Sequence, residues 1–531
     1  MHPARTVLGT ILVVSLAPHL HGQIQSAPPN TPTFKITSNL VYLDVTVLDK
    51  KGHVVATGLT KDDFTILDNK APQRIFSFEP PQAHAVSNHA NDTNPYGKAP
   101  ITIFVLDRLN SRAMYFADLY SEMIRYLKAQ PATLPSPAEI LVNDNKSLEM
   151  IQGLTRDRAE LLDALKHLPH ALPLKMNSGL WGFERMIQST DALQEIALEN
   201  EGVPGRKNVI WIGPGGPGLD FRMAGVGLGP KEEGDFKAYA KFTANLLVNA
   251  RITLYVIYPG IRQIPLSPLR TVSALEDPSM LAGDPFASDM NFGVFALDTG
   301  GQYYWDRNFI APLIKDSLRL ATNYYTLTYQ PRNVAPDGEF RHVQVLLRNP
   351  NLHAVTKAGY YAPDPGNTPP ARNSRMMTIV SAVRSTLPLN NLPLTVTRLE
   401  RHPDSKMVSF TVSLRARDLT WSRQPGGKNS DALLLAVSSM TGYGAYDRIT
   451  ASRMENIGVT SSIRDPGSDR DVVASYPISI RYPRHSRHIR VVVEEDESHR
   501  LGAVDLTAAQ IAAAPEMPTA NPGLRHGRGS K

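Results

Sequence analysis

The stretch Ile101–Asp107, ITIFVLD, is a run of β-forming apolar residues that stops at a carboxylate. A run without polar alternation predicts a strand buried on both faces, the kind found at the centre of a parallel sheet. Parallel strands need long crossovers, so this stretch commits its surroundings to alternating strands and helices. Sheets of this kind bind ligands in the loops at the carboxyl ends of their strands. Asp107 and the polar turn behind it, Arg108–Ser111, are therefore the first candidate site.

The residues that follow keep that alternation. Tyr115, Leu119, Met123 and Leu127 mark one face of a helix. Strands are predicted at Glu139–Val142, Ser147–Ile151, Asn208–Ile212, Ile252–Tyr258 and Gln302–Trp305, with helices at 157–168, 181–199, 236–250, 288–297 and 309–321. The expected unit is a doubly wound α/β domain over 101–322.

On either side the period changes to two. Val41, Leu43, Val45 and Val47 alternate with less apolar neighbours, and 64–67 and 74–78 add short strands. The expected N-terminal β unit spans 34–80, and a second β segment, 323–363, is a candidate to complete its sheet. Polar stretches at 81–100 and 364–384 read as linkers, with 376–390 a candidate short helix and loop. Residues 385–511 carry the strand spacing of an all-β sandwich, immunoglobulin-like in pattern. The Ala/Pro/Gly-rich 512–531 reads as a disordered tail. The expected fold class is thus α/β plus all-β.

At 531 residues, several domains are expected. The net charge of +6 is small for this length, and no basic block interleaved with aromatics suggests nucleic acid. The first 22 residues combine an Arg, the apolar run TVLGTILVVSLA and a polar end, the pattern of a secretory signal peptide cleaved near Gly22–Gln23. A Pro/Ser/Asn linker, 23–33, follows. No later stretch is long and apolar enough to predict a membrane span after signal cleavage. The chain has no cysteine, which rules out disulfides, zinc–thiolate sites and thiol nucleophiles. Export without cysteine predicts a secreted or periplasmic bacterial protein.

The order of several segments resembles a known family. These are NLVYLDVTVLDKKGHVV, FVLDRLNS, GLTRDRAELLDAL, GRKNVIWIGPGG, NARITLYVIYP, LDTGGQYYW, YYTLTYQP, DGEFRHVQVLLR and KAGYYAP. Over about residues 34–363 the chain is similar to von Willebrand factor A-related domain proteins of the Acidobacterial type. The resemblance implies an A-like domain flanked by β segments, with a protein ligand as partner. It also implies a metal-ion-dependent adhesion site, in which hard oxygen ligands hold Mg²⁺ or another divalent cation. Carried over residue by residue, Asp107, Ser111 and Thr155 match three of its ligands. Leu109 stands where a Ser is expected, and Gly213–Gly216 where an Asp is expected. A cation there would need Asn110 or Asp220 as auxiliary ligands. The resemblance therefore implies a degenerate site and favours a rebuilt, metal-free loop face. The expectation is an exported protein-binding, adhesion-type module and not an enzyme.

Two rival readings remain. Asp298-Thr299-Gly300 matches the tripeptide of aspartic proteases, which suggests an extracytoplasmic hydrolase. That chemistry needs two carboxylates sharing a proton, and the tripeptide occurs once. As a helix stop, the same residues need no partner. The other rival is a structural envelope component whose loop face is covered by the chain itself. The glycine-rich 213–218 lacks the Lys-Ser/Thr of a phosphate loop, and its prolines remove backbone donors.

Overall fold

A computed structural model describes residues 40–517, apart from 87–95, 112, 146, 169–180, 217–218, 221–229, 259–283, 287–288, 291, 306–309, 333–334, 336, 363–369, 425–426, 443–447, 462–466 and 468–472. The expected signal peptide, the 23–33 linker and residues 518–531 of the tail lie outside the described residues. Among the described residues no helix is long and apolar enough to cross a membrane.

Every residue of Ile101–Asp107 is buried. The strand lies inside a six-stranded sheet in the order Gln302–Trp305, Ile252–Tyr258, Lys207–Ile212, Ile101–Asp107, Thr133–Asn143, Leu148–Asp157. All neighbours are parallel except the last pair, which is antiparallel. Because side chains alternate along a strand, Ile101, Ile103 and Val105 face one apolar layer, and Phe104 and Leu106 the other. The first layer is covered by helices Trp181–Asn200, Pro230–Asn249 and Phe292–Asp298. The second is covered by Ala113–Lys128, Arg158–Lys166 and Ile310–Thr322. The helix expected from Ser288 begins at Phe292, after a two-residue strand, Asp289–Met290.

Strands before and after this α/β unit interleave. Val41–Asp49 lies between Tyr325–Tyr329 and Leu352–Val355, and Ile75–Glu79 pairs with the far side of Tyr325–Tyr329. A second four-stranded sheet joins Phe64–Asp68 to Phe340–Leu347. Leu43, Val45, Ile66, Leu327 and Val345 form the core between the two sheets. The stretch expected as an 81–100 linker is anchored at its described ends. His84 is buried and stacks on Tyr324, and Lys98 pairs with Glu79 at 2.6 Å. Local polarity concealed this because the aromatic partner lies 240 residues on in the sequence.

The C-terminal part stacks a three-stranded sheet, ordered Thr395–His402, Met407–Arg415, Val473–Arg481, on a five-stranded sheet built around Asn429–Met440. Phe410, Val412, Leu435, Val437, Val491 and Val493 fill the space between. Two boundaries need correction. The expected linker 364–384 contains a helix, Pro370–Arg384. Ile379, Ala382 and Val383 bury one side of it in the α/β core beside Leu434 and Val492. Three apolar positions at helical spacing outweigh the surrounding Asn, Ser and Arg. The tail expected to lack order from 512 is paired as far as Met517. Thr507 and Gln510 cap helix Ala508–Ala513, and Arg401 exchanges backbone hydrogen bonds with Pro515 and Met517.

Candidate functional site

Asp107 ends the central strand with 0% exposure. A carboxylate without water must find donors within the protein, and this one does. One oxygen accepts from the backbone N–H of Asn110 at 3.2 Å and from Asn143 Nδ2 at 3.3 Å. The other accepts from Trp211 Nε1 at 3.1 Å and the Gly215 N–H at 2.8 Å. Asn110 Nδ2 reaches both oxygens, at 3.0 and 3.1 Å, and also donates to Ser189 Oγ at 2.9 Å. Burial pushes the Asp107 carboxyl above its ordinary range, while the bonds from Trp211, Gly215 and Asn110 pull the other way.

The donors arrive because the chain ends of adjacent parallel strands meet here. Asp107 is in register with Asn143, and Leu106 with Ile212. After Ile212 the Gly-Pro-Gly-Gly turn folds back over the carboxylate. Gly213 has φ +141°, and a Cβ on it would stand 2.5 Å from Asp107 Cβ. Gly215, at φ +76°, leaves room only for the Phe292 ring. A side chain at either position would hold the turn away from Asp107. The loop expected to supply an aspartate ligand instead supplies a lid.

The other expected ligands do not assemble. Leu109 is 1% exposed, a core residue. Ser111 is buried, and its Oγ has no hydrogen-bond partner among the described residues. Thr155 lies far from the site. The strand read as ending near Ile151 continues to Asp157, antiparallel to Thr133–Asn143, and places Thr155 beside Ala138. Ala138 is in register with Thr102, five residues before Asp107. At about 3.3 Å per residue, Thr155 stands roughly 17 Å down the sheet. There its Oγ1 accepts from the Asp157 N–H at 3.0 Å, shaping the turn into helix Arg158–Lys166. Asp220 pairs through its backbone with Asp289 in a two-residue bridge.

Both Asp107 oxygens are taken up by N–H donors, while Asn110 Oδ1 and Asn143 Oδ1 on two of those donors are buried with no hydrogen-bond partner among the described residues. Hard cations take several oxygen ligands, and Mg²⁺ usually keeps several waters. Asp107 is enclosed by N–H groups and lies within electrostatic reach of the Arg185 guanidinium. Trp211, Asn143, Gly215 and Ser189 complete the site but were not read from the sequence. The available signal was that Asn143, like Asp107, ends an apolar run at a polar residue.

Asp298 is 1% exposed and forms part of a helix stop. Gly300, at φ +78°, donates to Leu297 O at 3.1 Å, and Gly301 to Ala296 O at 2.8 Å. This is the double closure of a Schellman motif. Thr299 Oγ1 accepts from the Leu254 N–H at 3.0 Å, tying the stop to the sheet. Burial lifts the Asp298 carboxyl to about 7, and Lys357 opposes that shift. The nearby Asp284 is engaged by Lys241 at 2.8 Å and Tyr361 at 2.6 Å. Among the described residues no second carboxylate shares a proton with Asp298, as an aspartic dyad requires.

No protein-family model matches the sequence, and no curated protein sequence does. Three solved structures show what the chain is similar to. Proximal thread matrix protein 1 from the mussel byssus is 14% identical with a TM-score of 0.25, over 44% of this chain and 47% of that one. The chain thus spans about half the length of that protein. The SpRpn10 VWA domain is 16% identical with a TM-score of 0.19, over 34% of this chain and 95% of that one. The ArnB paralog VWA2 from Sulfolobus acidocaldarius is 9% identical with a TM-score of 0.22, over 90% and 76%. Two of the three are VWA domains. At these scores the architecture rests on the chain's own strand order and register.

Proposed function

We propose that this is an exported, non-catalytic protein-binding module of the von Willebrand factor A-like type. Its doubly wound domain presents the loops at the carboxyl end of the sheet to a protein ligand, without a divalent cation. The flanking β layers act as spacers. The observation that carries this reading is the lid on Asp107. Parallel strands bring their loops to one edge, and the Gly213–Gly216 turn locks that edge through the bonds from Trp211 and Gly215. A binding face benefits from such rigidity because less order is lost on association. The hydrolase reading loses support from the enclosure of Asp298. Cover of Asp107 by the C-terminal sandwich would have supported the envelope-component reading, whereas its donors among the described residues come from the α/β unit. Export rests on the N-terminal sequence pattern and the lack of cysteine.

A photo-crosslinking residue at Asn110 or Pro214, in the cells that make the protein, tests the binding face. The control position is Lys128, at the far end of its helix. The expected result is a discrete protein adduct at 110 or 214, unchanged by a chelator and missing at 128. The same adducts at all three positions would refute the loop face as the binding surface. Loss of the adduct on chelation would refute metal independence.

A further inference from the structure

In the C-terminal sandwich, strand Thr395–His402 carries strain at an exposed position. Thr397 pairs with Thr411 and Glu400 with Ser409, so Arg398 and Leu399 together stand opposite Phe410. Two residues facing one make a β-bulge. Arg398, at φ +52°, lies in the left-handed region, where a side chain costs backbone energy. The extra residue resets the alternation of the strand. Val396 packs toward the sandwich core, and unbroken alternation would send Glu400 there as well. With the bulge, Leu399 takes the core face, and Glu400 falls on the outer face with Ser409 and His402.

Arg398, Glu400, Ser409, Thr411, Ser479 and Arg453 line one open cleft of about 310 Å³. Small-molecule sites begin at about that size, ~300 Å³. Hydroxyls form an ordered part of the lining. His402 Nε2 lies 2.9 Å from Ser409 Oγ, which lies 2.8 Å from Ser479 Oγ. Arg453 Nη1 is held in place by donating to Ser479 O at 3.2 Å. Among the described residues Arg398 and Glu400 form no ion pair, either with each other or with a third group. Farther along the same strand Arg401 does pair, with Glu516 at 2.6 Å.

A guanidinium and a carboxylate that share a cleft without meeting fit a ligand that carries both an anionic group and hydroxyl groups. The planar fork of an arginine matches a carboxylate. An ionised glutamate only accepts, so it takes hydroxyl protons, while serine and threonine both donate and accept. Backbone strain gathers at ligand sites, and here it sits on the one arginine of the cleft whose guanidinium has no partner among the described residues. We propose that this cleft binds a uronic acid, free or as a unit of an acidic polysaccharide. Its carboxylate meets Arg398, and its ring hydroxyls meet Glu400, Thr411 and the Ser409–Ser479 pair. This site lies on the C-terminal sandwich and is separate from the loop face around Asp107.

Titration calorimetry on the full-length protein tests this with galacturonic acid, trigalacturonic acid, galactose, acetate and glycine. Galacturonic acid is expected to give saturable heat, with galactose, acetate and glycine each at least about tenfold weaker. Tighter binding of the trimer assigns the site to a polysaccharide, and equal binding assigns it to the free sugar. Arg398→Gly removes the guanidinium and suits the positive φ. It should lose at least about tenfold in affinity while its urea midpoint stays level or rises. A residue kept only for the fold would not separate the two readouts in this way. Glu400→Gln keeps the shape of the side chain and should also weaken binding, with an unchanged midpoint. No saturable heat at millimolar galacturonic acid overturns the proposal. So does binding of acetate, glycine or galactose as tight as that of galacturonic acid, or unchanged affinity in either variant.

Discussion

Gly213 stands so close to Asp107 that a Cβ on the glycine would lie 2.5 Å from the aspartate's own Cβ. This contact turns a strand end that could face solvent into the centre of a closed polar cluster. Gly213→Ala should therefore destabilise the protein in two ways, by the clash and by the φ of +141°. The expected loss is about 2–3 kcal/mol in urea unfolding. A loss below about 0.5 kcal/mol would mean that the lid does not depend on this glycine.

Asp107→Ala should act on stability and not on metal binding. It leaves the Trp211 and Gly215 N–H groups buried without their acceptor, at about 1–3 kcal/mol for each unpaired group. Mg²⁺ titration calorimetry should give the same negligible heats for the wild type and the variant. Heat that appears only with the wild type would restore a cation to the site.

The junction between helix Trp181–Asn200 and the segment after Arg384 should make stability depend on pH. Glu195 accepts from the Thr386 N–H at 2.7 Å and from Ser385 Oγ at 3.1 Å. Burial nonetheless raises its carboxyl from 4.5 to about 7, with the Thr386 bonds opposing and Asp191 reinforcing the shift. Burial also raises Asp191 to about 6. Folded values above the unfolded ones mean stability that is fully present below pH about 4 and lost as pH rises through 6 to 7. The Tm should fall between pH 5 and 8, and Glu195→Gln should flatten the fall. A wild-type Tm that rises across that interval would contradict this sign.

Gly300→Ala tests the helix stop. A Cβ at this position would meet the Thr356 carbonyl carbon at 2.6 Å, on a backbone with φ +78°. A loss of roughly 1–3 kcal/mol is expected in thermal or urea unfolding. Asp298→Asn should keep the fold, because neither carboxylate oxygen has a hydrogen-bond partner among the described residues. Unfolding of Asp298→Asn with Gly300→Ala tolerated would reverse these roles.

Much of the fold could be read along the chain because it rests on local pattern. Ile101–Leu106 carries apolar side chains on both faces, and this requires cover on both sides. The replacement of an acidic ligand by Gly213–Gly216 was also visible, as was Leu109 in place of a hydroxyl. The helix Pro370–Arg384 was legible only as a short candidate within 376–390, because its buried stripe is short and its surroundings polar. Thr155 was misplaced because the strand carrying it does not end at Ile151. Its reversal moves the threonine to the opposite end of the sheet from Asp107.

The sequence by itself determined most of the strands and helices of the α/β unit and that a buried strand ends in a carboxylate. Periodicity and turn residues act over a few positions and need no distant partner. Only the tertiary structure decided what that carboxylate does. The indole N–H and the backbone N–H that enclose it come from 104 and 108 residues away. Whether Asp107 meets a cation or these donors depends on how three strand ends pack, and short-range propensity carries no record of that.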